Sequence, residues 1–189
     1  MKILAFAASN SSESINRRLA LHVARRVPGV EVESLNLNDY DMPIYSEQRE
    51  LAGGTPAAAR AFYEKIGSAD ALVIGFAEHN GTYTAAWKNL LDWTSRIDRH
   101  FLQDKPAIYV ATSPGGGGAS AVLAQAVTSA PHFGGDVVAS VSVPQFNDAY
   151  VMYMDRIRHT AIDAQIAAAV DQLAARLGTA TEALLRTGS

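Results

Sequence analysis

The sequence predicts a doubly wound α/β domain built on a five-stranded parallel sheet. Three observations predict it: five short apolar segments recur along the chain, helical segments separate them, and polar or glycine-rich loops follow three of them. Strands that alternate with helices form a parallel sheet through right-handed crossovers. Five strands in this rhythm best fit the order 2-1-3-4-5, with a ligand crevice at the carboxyl ends of strands one, three and four.

The N-terminal part of the chain predicts a strand, a helix and a second strand. Residues 3–8 are continuously apolar, as expected of a central parallel strand that is covered on both faces. The next helix starts at Ile15, repeats apolar residues about every four positions and ends near Pro28. Residues 30–37 alternate, as in a strand nearer an edge. Residues 38–56 have no clear period, and a loop of this length is usually functional or part of an interface.

The middle of the chain repeats the alternation of helix and strand. A helix over roughly residues 57–67 precedes the apolar third strand, residues 71–76. After a turn at Gly81, another helix is expected to run to about Arg99. It leads to the fourth apolar strand, residues 106–112.

The C-terminal part completes the sheet. An alanine-rich helix is predicted over residues 119–129 and a fifth strand over residues 137–143. Residues 144–153 are expected to be irregular, and residues 155–177 to form a final helix with one apolar face. Because the sequence shows no internal repeat or linker, we expect one domain over residues 1–189.

Composition excludes several classes of protein. The 189 residues are 48% hydrophobic and include no cysteine, which excludes disulfides, thiolate metal sites and cysteine nucleophiles. The absence of cysteine also fits a reducing compartment, so we expect a cytoplasmic protein. A net charge of −3 without a basic stripe argues against nucleic-acid binding. The N-terminal apolar run is too short for a signal peptide, and Pro114 and the following glycines interrupt the uncharged residues 106–131, so no membrane span is expected.

A polar loop, residues 9–16, follows the first strand. It offers four hydroxyls, two amides and the free N–H groups of a helix start, which bind phosphate through hydrogen bonds and the helix dipole. It contains neither the Gly-Lys pair of a P-loop nor the GxGxxG of dinucleotide folds. Capping of the helix by Ser12 or Ser14 is the alternative interpretation.

A second polar cluster, Glu78, His79 and Asn80, follows the third strand. A histidine here could be a general base or a metal ligand, but no cluster with ligand spacing lies nearby, so no metal is expected. A Ser–His–Asp hydrolase with Ser9 as nucleophile is an alternative, although the GxSxG elbow is missing. The simplest interpretation is a loop held by its own hydrogen bonds, with Asn80-Gly81 as a turn.

The third loop contains four consecutive glycines, Gly115–Gly118, after Ser113 and Pro114. Glycines expose backbone N–H groups and let a flat ligand approach the main chain closely. A flexible connection is the alternative, but four ordered glycines carry a large entropic cost. Since the three loops converge at one edge of the sheet, together they indicate flavin mononucleotide or a similar nucleotide.

The chain resembles the NADPH-dependent FMN reductase family over nearly its whole length, and the motifs in these three loops carry the resemblance. The family's first motif is approximately Gly-Ser-x-Arg-x-x-Ser-x-Asn. This chain matches it at Ser9, Ser14 and Asn16, with Ala8 in place of the glycine and Ser11 in place of the arginine.

The second motif is approximately Pro-Glu-Tyr-Asn-x-Ser-x-Pro, followed by Leu-Lys-Asn and Asp-Trp. The matching residues are Glu78, Asn80, Lys88, Asn89, Asp92 and Trp93, with Thr82 for serine. The departures are Ala77, His79, Thr84 and Trp87, which stand where the family has Pro, Tyr, Pro and Leu. Ser113 and Gly115–Gly118 match a third motif, a Ser-x-Gly run, and the three motifs in register are far more specific than any one alone.

The resemblance implies a flavodoxin-like three-layer fold and an NAD(P)H-dependent oxidoreductase. Bound FMN would pass a hydride from NADPH or NADH to an acceptor such as a flavin, quinone or azo compound. The implied cofactor-binding residues are Ser9, Ser11, Ser14, Ile15 and Asn16 at the phosphate, Ala77, Glu78, His79, Asn80 and Gly81 at the isoalloxazine and ribityl side, and Ser113, Gly115, Gly116 and Gly117 along the ring edge. No side chain is expected to act as a catalytic acid or base. Ser11 in place of arginine predicts weaker phosphate binding, with Arg17 as a possible compensating cation.

Two alternative functions remain open, and the resemblance also implies an oligomeric state. A one-electron flavodoxin-type carrier is the main rival, but such carriers are usually strongly acidic, unlike a chain with pI near 5.9. A flavin-free member that only binds a ligand or partner is the other. The family implies a homodimer or homotetramer, and residues 38–56 with Trp87 and Trp93 could supply the interface. Plain core packing of both tryptophans is an equal alternative.

Overall fold

The computed structural model describes the backbone of residues 1–187 and the side chains of residues 1–178. Five parallel strands form its main sheet, in the order β2-β1-β3-β4-β5, which confirms the predicted order. The strands are β1 (Lys2–Ala8), β2 (Glu31–Ser34), β3 (Ala71–Phe76), β4 (Pro106–Thr112) and β5 (Asp136–Val143). The expected domain boundaries include residues 188–189, which lie outside the described residues.

Seven helices accompany the sheet in the described part of the chain. They are α1 (Ile15–Arg25), α2 (Glu47–Gly53), α3 (Ala57–Gly67), α4 (Ala85–Thr94), α5 (Ser120–Ser129), α6 (Phe146–Ala149) and α7 (Thr160–Thr187). Alternate residues of a strand face opposite sides of the sheet. Ile3 and Ala5 therefore join the core beneath α1 and α7, whereas Leu4 and Phe6 join the core beneath α3, α4 and α5. The result is the predicted three-layer architecture.

Gly75 allows α1 to sit unusually close to the sheet. A Cβ atom at Gly75 would lie 2.3 Å from the backbone oxygen of Asn16 and 2.9 Å from its carbonyl carbon. Real Cβ atoms do not approach backbone atoms this closely, so only glycine fits between β3 and the first turn of α1. This contact fixes the start of α1 over the carboxyl end of the sheet.

Residues 38–56 are more regular than predicted. A 3-10 turn at Leu37–Tyr40 is followed by α2, so the expectation of a structureless loop was wrong. Two residues of α4 hold the segment: the Asn89 amide donates to the carbonyls of Met42 and Pro43, and the Trp93 indole N–H donates to Pro43 at 2.7 Å. Short elements tied by such tertiary contacts leave little periodicity in a sequence.

The segment after β5 also differs from the prediction. It forms α6 and a small antiparallel hairpin of β6 (Tyr150–Val151) and β7 (Arg156–Ile157), and the last helix starts at Thr160 instead of residue 155. Asp155 closes the hairpin in the left-handed region at φ 45°, which is incompatible with a helix start there. The helix predicted to reach Arg99 ends at Thr94. None of the helices in the described residues has the length and apolar character that a membrane crossing needs.

Candidate functional site

A cavity of about 210 Å³ opens where the loops after β1, β3 and β4 meet. The predicted site residues that line it are Ser9, Ser11, Ser14, Ile15, Asn16, Ala77, Glu78, His79 and Ser113. The predicted residues Asn80, Gly81 and Gly115–Gly117 do not line it. Glu13, Thr112 and Pro114 line it and were missed, although each lies in or beside a loop that the sequence had singled out.

The first loop presents neutral hydrogen-bond donors to this cavity. The Ser14 hydroxyl caps α1 by accepting the N–H of Arg17 at 3.2 Å, and the Ser9 hydroxyl accepts the N–H of Ser11 at 3.2 Å. Both hydroxyls are thereby fixed as acceptors but keep their own protons to donate. The N–H groups of Ile15 and Asn16, at the first two helical positions, have no acceptor inside the helix. Capping and anion binding are therefore compatible at this helix start.

The side chain of Asn16 connects the first loop to the end of β4. Its amide donates to the Thr112 carbonyl at 3.0 Å, and its oxygen accepts the Thr112 N–H at 2.8 Å. Asn16 is only 3% exposed, so both bonds are shielded from water. What remains for a ligand is chiefly the main-chain N–H of Asn16.

The charges beside the first loop are largely balanced. Glu13, which lines the cavity, forms a 2.7 Å ion pair with Arg18. The guanidinium of Arg17, in the first turn of α1, donates to the Ser12 carbonyl at 2.7 Å and thereby stabilises the first loop. Ser11 stands where the resembled motif has an arginine, and the Arg17 guanidinium is held at the carbonyl of the next residue, Ser12.

The second loop is a tight turn, as predicted. His79 and Thr82 exchange backbone hydrogen bonds at 3.0 and 3.2 Å around Asn80 and Gly81. Both central residues have positive φ, 52° and 78°, which is the type I′ geometry that Asn-Gly favours. The His79 side chain makes no hydrogen bond within the described residues. A catalytic triad needs a serine and an orienting carboxylate bonded to the imidazole, so the geometry does not favour a hydrolase.

Three side chains attach the second loop to one face of α5. The Glu78 carboxylate accepts the N–H of Val122 at 3.0 Å in the first turn of the helix, and Thr82 and Tyr83 bond to Gln125 and Ser129, each at 2.9 Å. Burial raises the pKa of the Tyr83 hydroxyl, although its hydrogen bond with Ser129 opposes this. Since α5 begins directly after the glycine loop, the second and third loops are held in register.

Thr84, which replaces the second proline of the family motif, has a structural role. Its buried hydroxyl donates to the Ala8 carbonyl at 2.9 Å and accepts the N–H of Trp87 at 3.1 Å. It therefore caps α4 and ties that helix to the end of β1.

The four glycines of the third loop fall into two classes. Gly118 is required by the protein itself, because its φ is +59° and a Cβ atom there would lie 2.4 Å from the Ser142 hydroxyl. At Gly115, Gly116 and Gly117 an added Cβ would meet nothing within 4 Å, and none of them has positive φ. Neither the backbone conformation nor the packing of the described residues explains these three glycines.

The donor set suits the phosphate and ribityl end of a flavin mononucleotide. Hydroxyls and helix N–H groups converge on the cavity, and the open glycines adjoin it through Ser113. Within the part of the chain that the structure describes, no cluster of His, Asp or Glu side chains is arranged to hold a metal ion.

Comparison with known proteins gives a consistent result. The model of the family described as NADPH-dependent FMN reductase matches residues 1–148. The chain is 35% identical to NADPH:quinone oxidoreductase of Arabidopsis thaliana over 92 residues, which cover 49% of this chain and 45% of that protein. It is 33% identical to quinone reductase of Escherichia coli K12 over 97 residues, 49% of this chain and 52% of that protein. The chain spans about half the length of these curated relatives.

Solved structures share the fold. FerB, a flavoenzyme NAD(P)H:(acceptor) oxidoreductase from Paracoccus denitrificans, has a TM-score of 0.72 at 21% identity, with 94% of this chain and 97% of that one covered. An azoreductase from Bacillus anthracis has a TM-score of 0.59 at 16% identity, with 95% and 99% covered. At such identities these similarities show the architecture only.

Proposed function

Because the chain belongs to the NADPH-dependent FMN reductase family, we propose that it is an NAD(P)H-dependent oxidoreductase that binds FMN. Its acceptor would be a small molecule such as a quinone, a flavin or an azo compound, and its lack of cysteine supports a cytoplasmic location. The observation that carries the proposal is the junction of the hydroxyl-lined helix start with three glycines that the protein's own packing does not require.

The chemistry and the protein's share in it are separable. FMN, when bound, supplies hydride acceptance from the nicotinamide and delivery of electrons to the acceptor. Ser9, Ser11 and the first N–H groups of α1 would hold the phosphate, and the second loop would orient the ring. Backbone N–H groups of Gly115–Gly117 would stabilise negative charge that develops at the ring edge, because fixed dipoles need no reorganisation. No side chain has to transfer a proton.

Titration of the purified protein with FMN, followed by rapid mixing with NADPH or NADH, tests the proposal. We expect saturable FMN binding and direct bleaching of the flavin absorbance at about 450 nm by at least one nicotinamide, with reoxidation by a quinone. A flavin that binds but is not reduced by either nicotinamide would favour the electron-carrier alternative. No FMN binding at tens of micromolar would favour the flavin-free alternative.

Restoring the family arginine tests the phosphate assignment. Ser11→Arg is expected to tighten FMN binding about tenfold, because a guanidinium adds charge-assisted, bidentate hydrogen bonds to phosphate. Riboflavin, which lacks the phosphate, should bind both forms equally. Fluorescence titration with the two ligands measures this, and an equal gain for riboflavin would contradict the phosphate assignment.

A side chain at Gly116 should affect the ligand and spare the fold. We expect Gly116→Val to weaken FMN binding at least tenfold while the free energy of unfolding changes by less than about 1 kcal/mol, since a Cβ at this position meets no protein atom within 4 Å. Gly118→Ala is the contrast: it should lower stability, because the Cβ would clash with Ser142. Unchanged FMN affinity of Gly116→Val would remove the third loop from the site.

We further propose a homodimer formed through α2. Both Trp87 and Trp93 lie in the core, 3% and 1% exposed, so core packing accounts for them. By contrast α2 buries no residue, and Ile44 just before it and Leu51 within it are 65% and 81% exposed. Ala52 and Gly53 of the same helix line a hollow of about 520 Å³. An exposed apolar patch next to a hollow is typical of a protein interface.

Charged substitutions on this surface test the dimer. The double variant Ile44→Asp, Leu51→Asp is expected to shift the protein from dimer to monomer in light scattering, because an isologous contact brings each new charge next to its copy. Its urea midpoint as a monomer should stay close to that of diluted wild type, since neither side chain is buried. A dimer that persists in this variant would place the interface elsewhere.

A further inference from the structure

The hairpin of β6 and β7 carries an exposed apolar tip. Met152, Tyr153 and Met154 are 61%, 85% and 54% exposed. Only three other large hydrophobic side chains are exposed among the described residues, Met1, Ile44 and Leu51, and none of these is adjacent to another in the sequence. A run of this kind is not required by folding.

The tip stands on a well-anchored base. Val151 and Ile157, on either side of it, are 7% and 3% exposed and belong to the core or its border. The Asp155 carboxylate lies 3.0 Å from Nδ1 of the buried His22 and accepts the hydroxyl of Tyr150, and Arg25 pairs with it at 3.5 Å. The exposure of the tip therefore belongs to a packed hairpin and not to a loose end of chain.

Arginines surround the tip. The Arg18 guanidinium contacts the Met152 sulfur, and Arg25 reaches the hairpin through Asp155. Arg156 and Arg158 are exposed on the returning strand and just after it, and neither forms an ion pair with the residues that the structure describes. Glu13 pairs with Arg18 and Asp155 with Arg25. Asp163, at the start of the following helix α7, pairs with Arg26.

We propose that this hairpin tip docks on an anionic lipid surface. Tyrosine and methionine side chains insert at the boundary of headgroups and acyl chains, while arginines lay their stems along it and bind lipid phosphates. Asp155, the acidic residue of the tip itself, is turned into the hairpin base.

The shape and charge of the tip disfavour other occupants. A stable protein interface needs about 800 Å² from each partner, far more than three side chains on a convex turn provide. Small-molecule sites are concave. A second copy docking by symmetry would bring the same arginines face to face. The hairpin packs with α1 and α7, on the side of the sheet opposite to the core that α3 and α4 cover, so it stays open in the proposed α2 dimer.

Vesicle co-sedimentation of the full chain tests the proposal without any flavin. We expect binding to phosphatidylcholine vesicles that contain about one third phosphatidylserine, and at least tenfold weaker binding to phosphatidylcholine alone or in ~0.5 M salt. The variant Met152→Ser, Tyr153→Ser, Met154→Ser should lose at least tenfold in binding. Arg156→Gln with Arg158→Gln should lose about tenfold or more, since each arginine near an anionic surface contributes roughly fivefold.

A matched control distinguishes binding through this tip from non-specific attraction of the protein to the membrane. Arg60→Gln with Arg99→Gln removes two exposed arginines on the other side of the sheet, one in α3 and one after α4, and its vesicle binding should equal wild type. Circular dichroism and urea unfolding verify that the tip variants fold. The proposal is overturned if wild type does not bind the anionic vesicles, if the tip variant binds equally well, or if the tip variant changes the oligomeric state in light scattering.

Discussion

Gly75→Ala is expected to destabilise the protein by about 1–3 kcal/mol and to weaken FMN binding at least tenfold. The added Cβ would lie 2.3 Å from the backbone oxygen of Asn16, and a backbone atom cannot yield as the end of a flexible side chain can. The first turn of α1 must therefore move away from β3. That turn carries the hydroxyls and N–H groups proposed to hold the phosphate, so stability and binding should fall together.

Urea unfolding and FMN titration measure the two effects. Gly178→Ala is the matched control: it makes the same chemical change inside α7, where a Cβ meets nothing within 4 Å, and should be neutral or slightly stabilising. If Gly75→Ala had the stability and FMN affinity of wild type, the close approach of α1 to the sheet would not matter for either property.

Asn16→Ala is expected to cost about 2–4 kcal/mol of stability. It removes two shielded hydrogen bonds and leaves both the N–H and the carbonyl of Thr112 without their side-chain partner. An unsatisfied buried polar group costs about 1–3 kcal/mol. Because the same bonds join the first loop to the end of β4, FMN affinity should fall as well.

Asn16→Asp separates the two hydrogen bonds. The variant keeps an acceptor for the Thr112 N–H but replaces the donor to the Thr112 carbonyl with a second oxygen. Its loss of stability relative to wild type should therefore depend on pH. Protonation of the carboxyl at low pH restores a donor, and the deficit relative to wild type should shrink there. Urea midpoints of Asn16→Asp and wild type at two pH values measure this difference. If the free energy of unfolding of Asn16→Ala lay within about 0.5 kcal/mol of wild type, the two hydrogen bonds between Asn16 and Thr112 would be dispensable for stability.

Local sequence patterns were sufficient to predict the strands and loops that surround the candidate site. The apolar runs identified β1, β3 and β4, and the loops after them were correctly expected to converge because parallel strands end at one edge. The turn at Asn80-Gly81 was also predictable, because Asn-Gly is preferred where two consecutive residues need positive φ.

The roles of several motif residues were not predictable in the same way. Asn89 and Trp93 match the family motif, yet their side chains hold residues 42–45 in place, and Thr84 caps α4 where the family has proline. The predicted irregular segments proved to contain α2, α6 and a hairpin. Elements of two to seven residues depend on distant partners, so their own sequence carries little periodic signal.

The sequence by itself therefore determined the sheet, its strand order and the edge where a ligand would lie, because hydrophobic periodicity and turn chemistry are local properties. Only the tertiary structure decided which polar residues face the cavity and which serve the fold. Asn16 is the clearest case: its amide is clamped to Thr112, 96 positions away. The tertiary structure likewise divided four adjacent glycines into one that the chain requires and three that it leaves open, because close packing depends on neighbours from other elements.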